Sequence, residues 1–148
     1  ALNASPIMRF LHTEDEEPFR DLVRCNVRPQ HVDFERGYGV SLLNRAATLE
    51  FSQDVFDAFG DGTADPLALD FTLNSPADMA LAENNVPAIR AFARASTLRG
   101  DEAWWLERLA EDDERHELQP VTQDLIRIEV ARTKAQMVAT EIMSNPQP

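Results

Sequence analysis

His116 stands three and four residues after Asp113 and Asp112, so an imidazole and a carboxylate share one turn of any helix formed there. That is half of what a carboxylate-bridged metal pair takes from a four-helix bundle, which needs two Glu-x-x-His pairs on separate helices. Here the acid is Asp, no second pair follows, and His12 and His31 lie far upstream without the spacing. A surface histidine in an acidic helix is the simpler reading. The Asp57–Asp65 segment carries part of a calcium-loop pattern, with Asp61, Gly62 and Asp65 at the fifth, sixth and ninth positions. Phe59 stands third and Ala68 twelfth, where oxygen donors are required, so turn chemistry accounts for these residues better. Cys25 is the only cysteine and no histidine neighbours it in sequence, so it reads as a structural thiol. The paired carboxylates fall in two runs, Glu14 to Glu17 and Glu111 to Glu114, which read as solvated helix faces. No phosphate-cradling glycine loop and no nucleophile elbow is present. No cofactor and no metal is expected.

Binding chemistry is better represented. Trp104 and Trp105 are adjacent in a segment patterned as helix, where successive side chains diverge by about 100°. Trp105 falls in an apolar stripe with Ala103, Leu106, Leu109 and Ala110, which turns Trp104 toward Glu107, Arg108 and Glu111. An indole on a charged face is either a covered surface ring or an anchor for a partner. The C-terminal segment has two apolar stripes. The broader runs through Val121, Ile128, Ala131, Ala135, Val138, Ala139 and Ile142, and the narrower through Ile126, Val130 and Met137. Such a helix touches two neighbours, and the narrower stripe is the candidate for contact between chains if it is not an intrachain contact. Arg90 and Arg94, one turn apart, with Arg99 beyond, could hold an anion, or pair with the Glu111–Glu114 run. The candidate partner-binding residues are therefore Trp104, Arg108, Ile126, Val130, Met137, Glu111, Asp112 and Glu114.

The elements that must position these residues read as follows. Residues 1–12 form an N-terminal arm or short strand. Thr13 and Glu16 make a capping box for a helix that ends before Pro29. A loop spans 29–39 and a second helix about 40–51. Leu67, Leu69, Phe71 and Leu73 alternate with polar or small residues, and Gly60–Pro66 is rich in turn formers, so a β-hairpin pairing about 54–59 with 66–73 is expected. Ser75 and Pro76 restart helix, and Pro87 opens another that runs to about 99, with Gly100 after it as terminator. The Trp helix covers about 102–118 and the last helix about 121–143. Residues 144–148 form a loose tail. The fold expected is mainly α, five or six helices around one core with a single β-hairpin, or α+β. It forms a single helix-rich domain over 1–148.

Composition narrows the function classes. The chain of 148 residues is 43% hydrophobic and 27% charged, ordinary for a globular domain, and its net charge is −12. Such a charge repels nucleic-acid phosphates and anionic membranes, and attracts basic partners at long range. No apolar run approaches the length of a bilayer span, and no signal peptide is visible. A reducing, cytoplasmic setting, or a particle assembled there, fits the lone cysteine. Lys134 is the only lysine among many arginines.

The order strand, acidic-start helix, second helix and hairpin over residues 6–73 resembles the opening of an N-acetyltransferase of the GNAT type. That resemblance implies an acyl-CoA-dependent enzyme. The family's acyl-CoA loop begins with Arg or Gln, and at the matching position before Gly37 and Gly39 this chain has Phe34. Three functions follow as expectations. The first is a non-catalytic interaction or assembly subunit of a larger complex, viral or cellular, which binds a protein partner or its own copies through apolar helix seams. The second is a small acidic inhibitor or immunity protein that masks a basic, nucleic-acid-binding site. The third is an acyltransferase-like enzyme.

Overall fold

A computed structural model describes residues 32–33, 40–58, 65–70, 72–115 and 117–144. The N-terminal arm, the Thr13 helix, Cys25, the hairpin turn, His116 and the tail beyond Ser144 lie outside these residues. The fold is mainly helical, with α1 (Leu42–Ala46), α2 (Gln53–Asp57), α3 (Pro76–Ala82), α4 (Val86–Leu98), α5 (Ala103–Arg115) and α6 (Pro120–Ser144). A two-residue antiparallel ladder, β1 (Val32–Asp33) with β2 (Val40–Ser41), precedes them.

The expected hairpin does not form. Residues 53–57 are helix α2, and Val55 and Phe56, adjacent in sequence, are both buried, which the alternating faces of a strand do not allow. On the other side, Leu69 and Leu73 face solvent and the backbone turns around Asp70. One oxygen of Asp70 accepts from the Thr72 N–H (2.8 Å), the Thr72 hydroxyl (2.6 Å) and the Asn74 N–H (3.0 Å), and the other accepts from Asn44 Nδ2 on α1 (3.2 Å). A carboxylate that captures backbone donors locally competes with a strand ladder for them. Leu73 accordingly takes a left-handed φ of 65°. The helix expected over 40–51 is also shorter. It stops at Ala46, where the Thr48 hydroxyl bonds the Arg45 carbonyl (2.8 Å).

The core is centred on α4, which is buried on several faces through Ala88, Ile89, Ala91, Phe92, Ala93 and Ala95. Alanines let α2, α3 and α6 approach α4, while Phe92 meets Phe56 edge-on at 6.1 Å. Ser75 caps α3 as read from the sequence, in a reciprocal box with Asp78 and with Pro76 in the first turn. Asn85 precedes α4 and its amide donates to the carbonyls of Ala47 (2.8 Å) and Leu49 (2.9 Å), tying down the turn that follows α1 from 36 residues or more away. Gly100 ends α4 with φ 80°, a conformation that favours glycine.

Candidate functional site

On α5 the two indoles divide as their spacing predicts. Trp105 is fully buried and its Nε1 donates to Ser96 Oγ (2.9 Å), whose hydroxyl donates in turn to the Phe92 carbonyl (2.8 Å). Trp104 is half-buried. Its ring meets Trp105 edge-on at 5.0 Å, and the Arg108 guanidinium lies 5.3 Å from its centroid. Trp104 is thus a covered surface ring more than a free anchor. Arg108 is held by Asp78 Oδ1 at 2.6 Å, with Glu111 at 3.9 Å. The inward stripe of α5 is narrower than expected: Trp105, Leu109 and Asp112 are buried, while Leu106 faces solvent.

Asp112 corrects the reading of the acidic run as a binding face. It is buried, and one oxygen accepts the N–H groups of Glu117 and Leu118 (2.9 Å each) while the other accepts from Gln123 Nε2 (2.5 Å). It therefore closes the turn between α5 and α6. Glu111 remains exposed, and the side chain of Glu114 lies outside the described residues. A recess of about 310 Å³ lies beside these groups, between Asp78, Leu81, Arg108, Asp112 and Leu118. Of its charged lining, Asp78, Arg108, Glu111 and Asp112 are already committed to caps and ion pairs.

Two of the three arginines expected to hold an anion or to pair with the acidic run, Arg90 and Arg99, do otherwise. Arg90 reaches the buried Glu129 of α6 (3.6 Å), which Arg132 also contacts (3.3 Å), and Arg99 lies near Asp65 (3.9 Å) and Asp101 (4.0 Å). Lys134 pairs with Glu102 at 3.1 Å, joining α6 to the start of α5. The Glu102 carboxyl is held below its ordinary value by its own backbone N–H and by Lys134, against a smaller upward push from burial. Asp57 accepts from Gln53 (2.8 Å) and Asp65 from the Leu67 N–H (3.1 Å), so both ends of the calcium-like segment have local roles; Asp61 and Gly62 lie outside the described residues. Among the described residues no group of three or more His, Cys, Asp or Glu is placed to hold a metal. Among them, too, no helix is long and apolar enough to cross a membrane.

The two stripes of α6 exchange the roles their breadth suggests. Ile126 and Val130 are buried with Thr122, Glu129 and Thr133, on the face packed against α4. They are intrachain core, unavailable to a partner in the folded protomer. Met137 continues that face past the end of the core and is partly exposed. The broader stripe points away. Val121 is 68% exposed, Ile128 53%, Val138 55% and Ile142 64%, and Ala131, Ala135 and Ala139 between them are exposed as well. At about 100° per residue the stripe is centred opposite Ile126, so the helix has one apolar face inside the protomer and one outside. From Lys134 to Ser144 every residue is exposed, so the last turns extend beyond the packed body.

Comparison with protein-family models, with curated proteins and with solved structures finds no match.

Proposed function

We propose that this chain is a non-catalytic interaction or assembly subunit that docks on protein through the outward stripe of α6. The observation that carries this reading is the line of large apolar side chains at Val121, Ile128, Val138 and Ile142, each more than half exposed, on the face opposite the core. Scattered surface apolar residues are ordinary, whereas apolar side chains aligned along one face, here from Ile128 to Ile142 with Val121 beyond Asp124, mark an interaction site. Burial of Asp112 and the engagement of Asp78 and Arg108 with one another make the α5 surface a weaker candidate. They weaken equally the reading of the chain as an acidic inhibitor. The acyltransferase reading loses the hairpin on which its element order depends, since residues 53–57 are helical. Placing a photo-crosslinking amino acid at Val138, with Glu107 as control, tests the proposal in cells that make the chain. Protein adducts at 138 and none at 107 support a docking face; equal absence at both positions refutes it.

A further inference from the structure

We propose that the occupant of the α6 stripe is a second copy of this chain, with the two α6 helices antiparallel and Ile128 opposite Val138 of the second copy. This rests on the reading of the stripe as a docking face and adds the partner's identity. Ile128, Ala131, Ala135, Val138 and Ile142 are separated by three, four, three and four residues; Val121 lies one heptad earlier, with Asp124 at the seam position between it and Ile128. A repeat of 3.5 residues keeps a seam facing another helix along its whole length. The face also lies on a segment of this acidic protein that another copy can approach without net repulsion. Within Pro120–Ser144, Asp124, Glu129 and Glu141 balance Arg127, Arg132 and Lys134, so α6 is neutral in a chain of net charge −12.

Charge then selects the direction. A parallel pair sets Asp124 against Asp124 and Arg127 against Arg132 of the second copy, both repulsive. The antiparallel pair with Ile128 opposite Val138 sets Ala131 opposite Ala135, where small side chains allow close approach. It also sets Arg127 opposite Ala139, which brings it alongside Glu141 of the second copy at both ends of the seam. Lys134 and Arg132 fall near their own counterparts on the two sides of the seam, but Lys134 is paired with Glu102 of its own chain at 3.1 Å and Arg132 with Glu129 at 3.3 Å. The exposed stripe of two copies offers on the order of 1,000 Å² of apolar surface, at the lower edge of a specific interface. Area does not fix affinity, but an interface of this size suits a weak pair, for which the expected Kd is roughly 10–100 μM.

The test uses the full chain carrying a nitroxide at Ser144→Cys with Cys25→Ser, at several times that concentration. The antiparallel register places the two labels about 33 Å apart along the helix axis, from a rise of about 1.5 Å per residue. A distance distribution centred near 35 Å supports the proposal, and one below about 20 Å, as parallel helices would give, overturns it. Absence of any interchain coupling also overturns it, and the crosslinker at Val138 then decides the docking face separately: adducts to a different protein keep that face and reject the second copy. A measurement that leaves Cys25 in place is the charge exchange. Arg127→Glu should weaken pairing severalfold, and Arg127→Glu with Glu141→Arg should restore it. Failure of the exchange to restore pairing overturns the register.

Discussion

Replacing Ile126 and Ile128 separately by alanine puts the assignment of the two α6 faces to a direct thermodynamic test. The residues are two positions apart in the helix and chemically identical, but Ile126 is 1% exposed and Ile128 53%. Truncating Ile126 removes three carbons from the core, worth about 0.8 kcal/mol each in transfer, and leaves a void beneath α4 whose lining loses contacts. The two contributions together give a loss of about 3 kcal/mol. At a urea dependence of about 2 kcal/mol per molar for a chain of this size, the unfolding midpoint falls by about 1.5 M. Truncating Ile128 removes a side chain already largely in water and substitutes a better helix former, so the midpoint should move by less than the equivalent of about 0.5 kcal/mol, in either direction. Urea unfolding followed by circular dichroism at low micromolar protein keeps association out of the comparison. A loss at Ile128 equal to that at Ile126 would refute the assignment of inner and outer faces.

Three further outcomes follow from the same packing. Burial raises the Asp70 carboxyl, but the hydrogen bonds from Thr72, Asn74 and Asn44 outweigh it and the pKa lies below its ordinary 3.8. The stabilisation from that lowered pKa is therefore present above about pH 4 and is lost as the pH falls through the lowered value, so the thermal midpoints of the wild type and Asp70→Asn should converge on acidification; a gap constant from pH 6 to pH 3 contradicts this. Asn85→Ala leaves two carbonyls of the turn after α1, those of Ala47 and Leu49, without their donor and should cost about 1–2 kcal/mol in chemical denaturation, against no change if those bonds are incidental. Tryptophan emission separates the indoles: Trp104→Phe should leave a blue-shifted spectrum from the buried Trp105, and Trp105→Phe a red-shifted one with reduced stability.

Local signals carried most of the helical frame. Ser75 and Pro76, Pro87, Gly100 and Pro120 set the limits of α3 to α6 because caps and breakers act within a turn of themselves. The period-two pattern around Leu67 to Leu73 misled because alternation needs a neighbouring strand, while Asp70 supplies a turn from within its own segment. The exchange of the α6 stripes has a different cause. Thr122, Glu129 and Thr133 lie on the inner face, so the inner face reads as polar and the outer one as core. Arg132 on the same helix and Arg90, 39 residues earlier on α4, together show why a buried glutamate is tolerated there, and periodicity within one helix carries no information about the partner on α4. Asp112 left one usable sign. An acid near the C-terminal end of a helix opposes the helix dipole, which points to a specific bond rather than to a solvated face.

The most direct test of an outward face built for a second chain is the molar mass of the full-length protein in solution, measured by sedimentation equilibrium from low to high micromolar concentration. The wild type should rise toward twice the single-chain mass. The double variant Ile128→Glu, Val138→Glu should stay at the single-chain mass while keeping the dilute wild type's thermal midpoint. A wild type that remains single-chain throughout, or a double variant that associates as strongly as the wild type, would contradict the account.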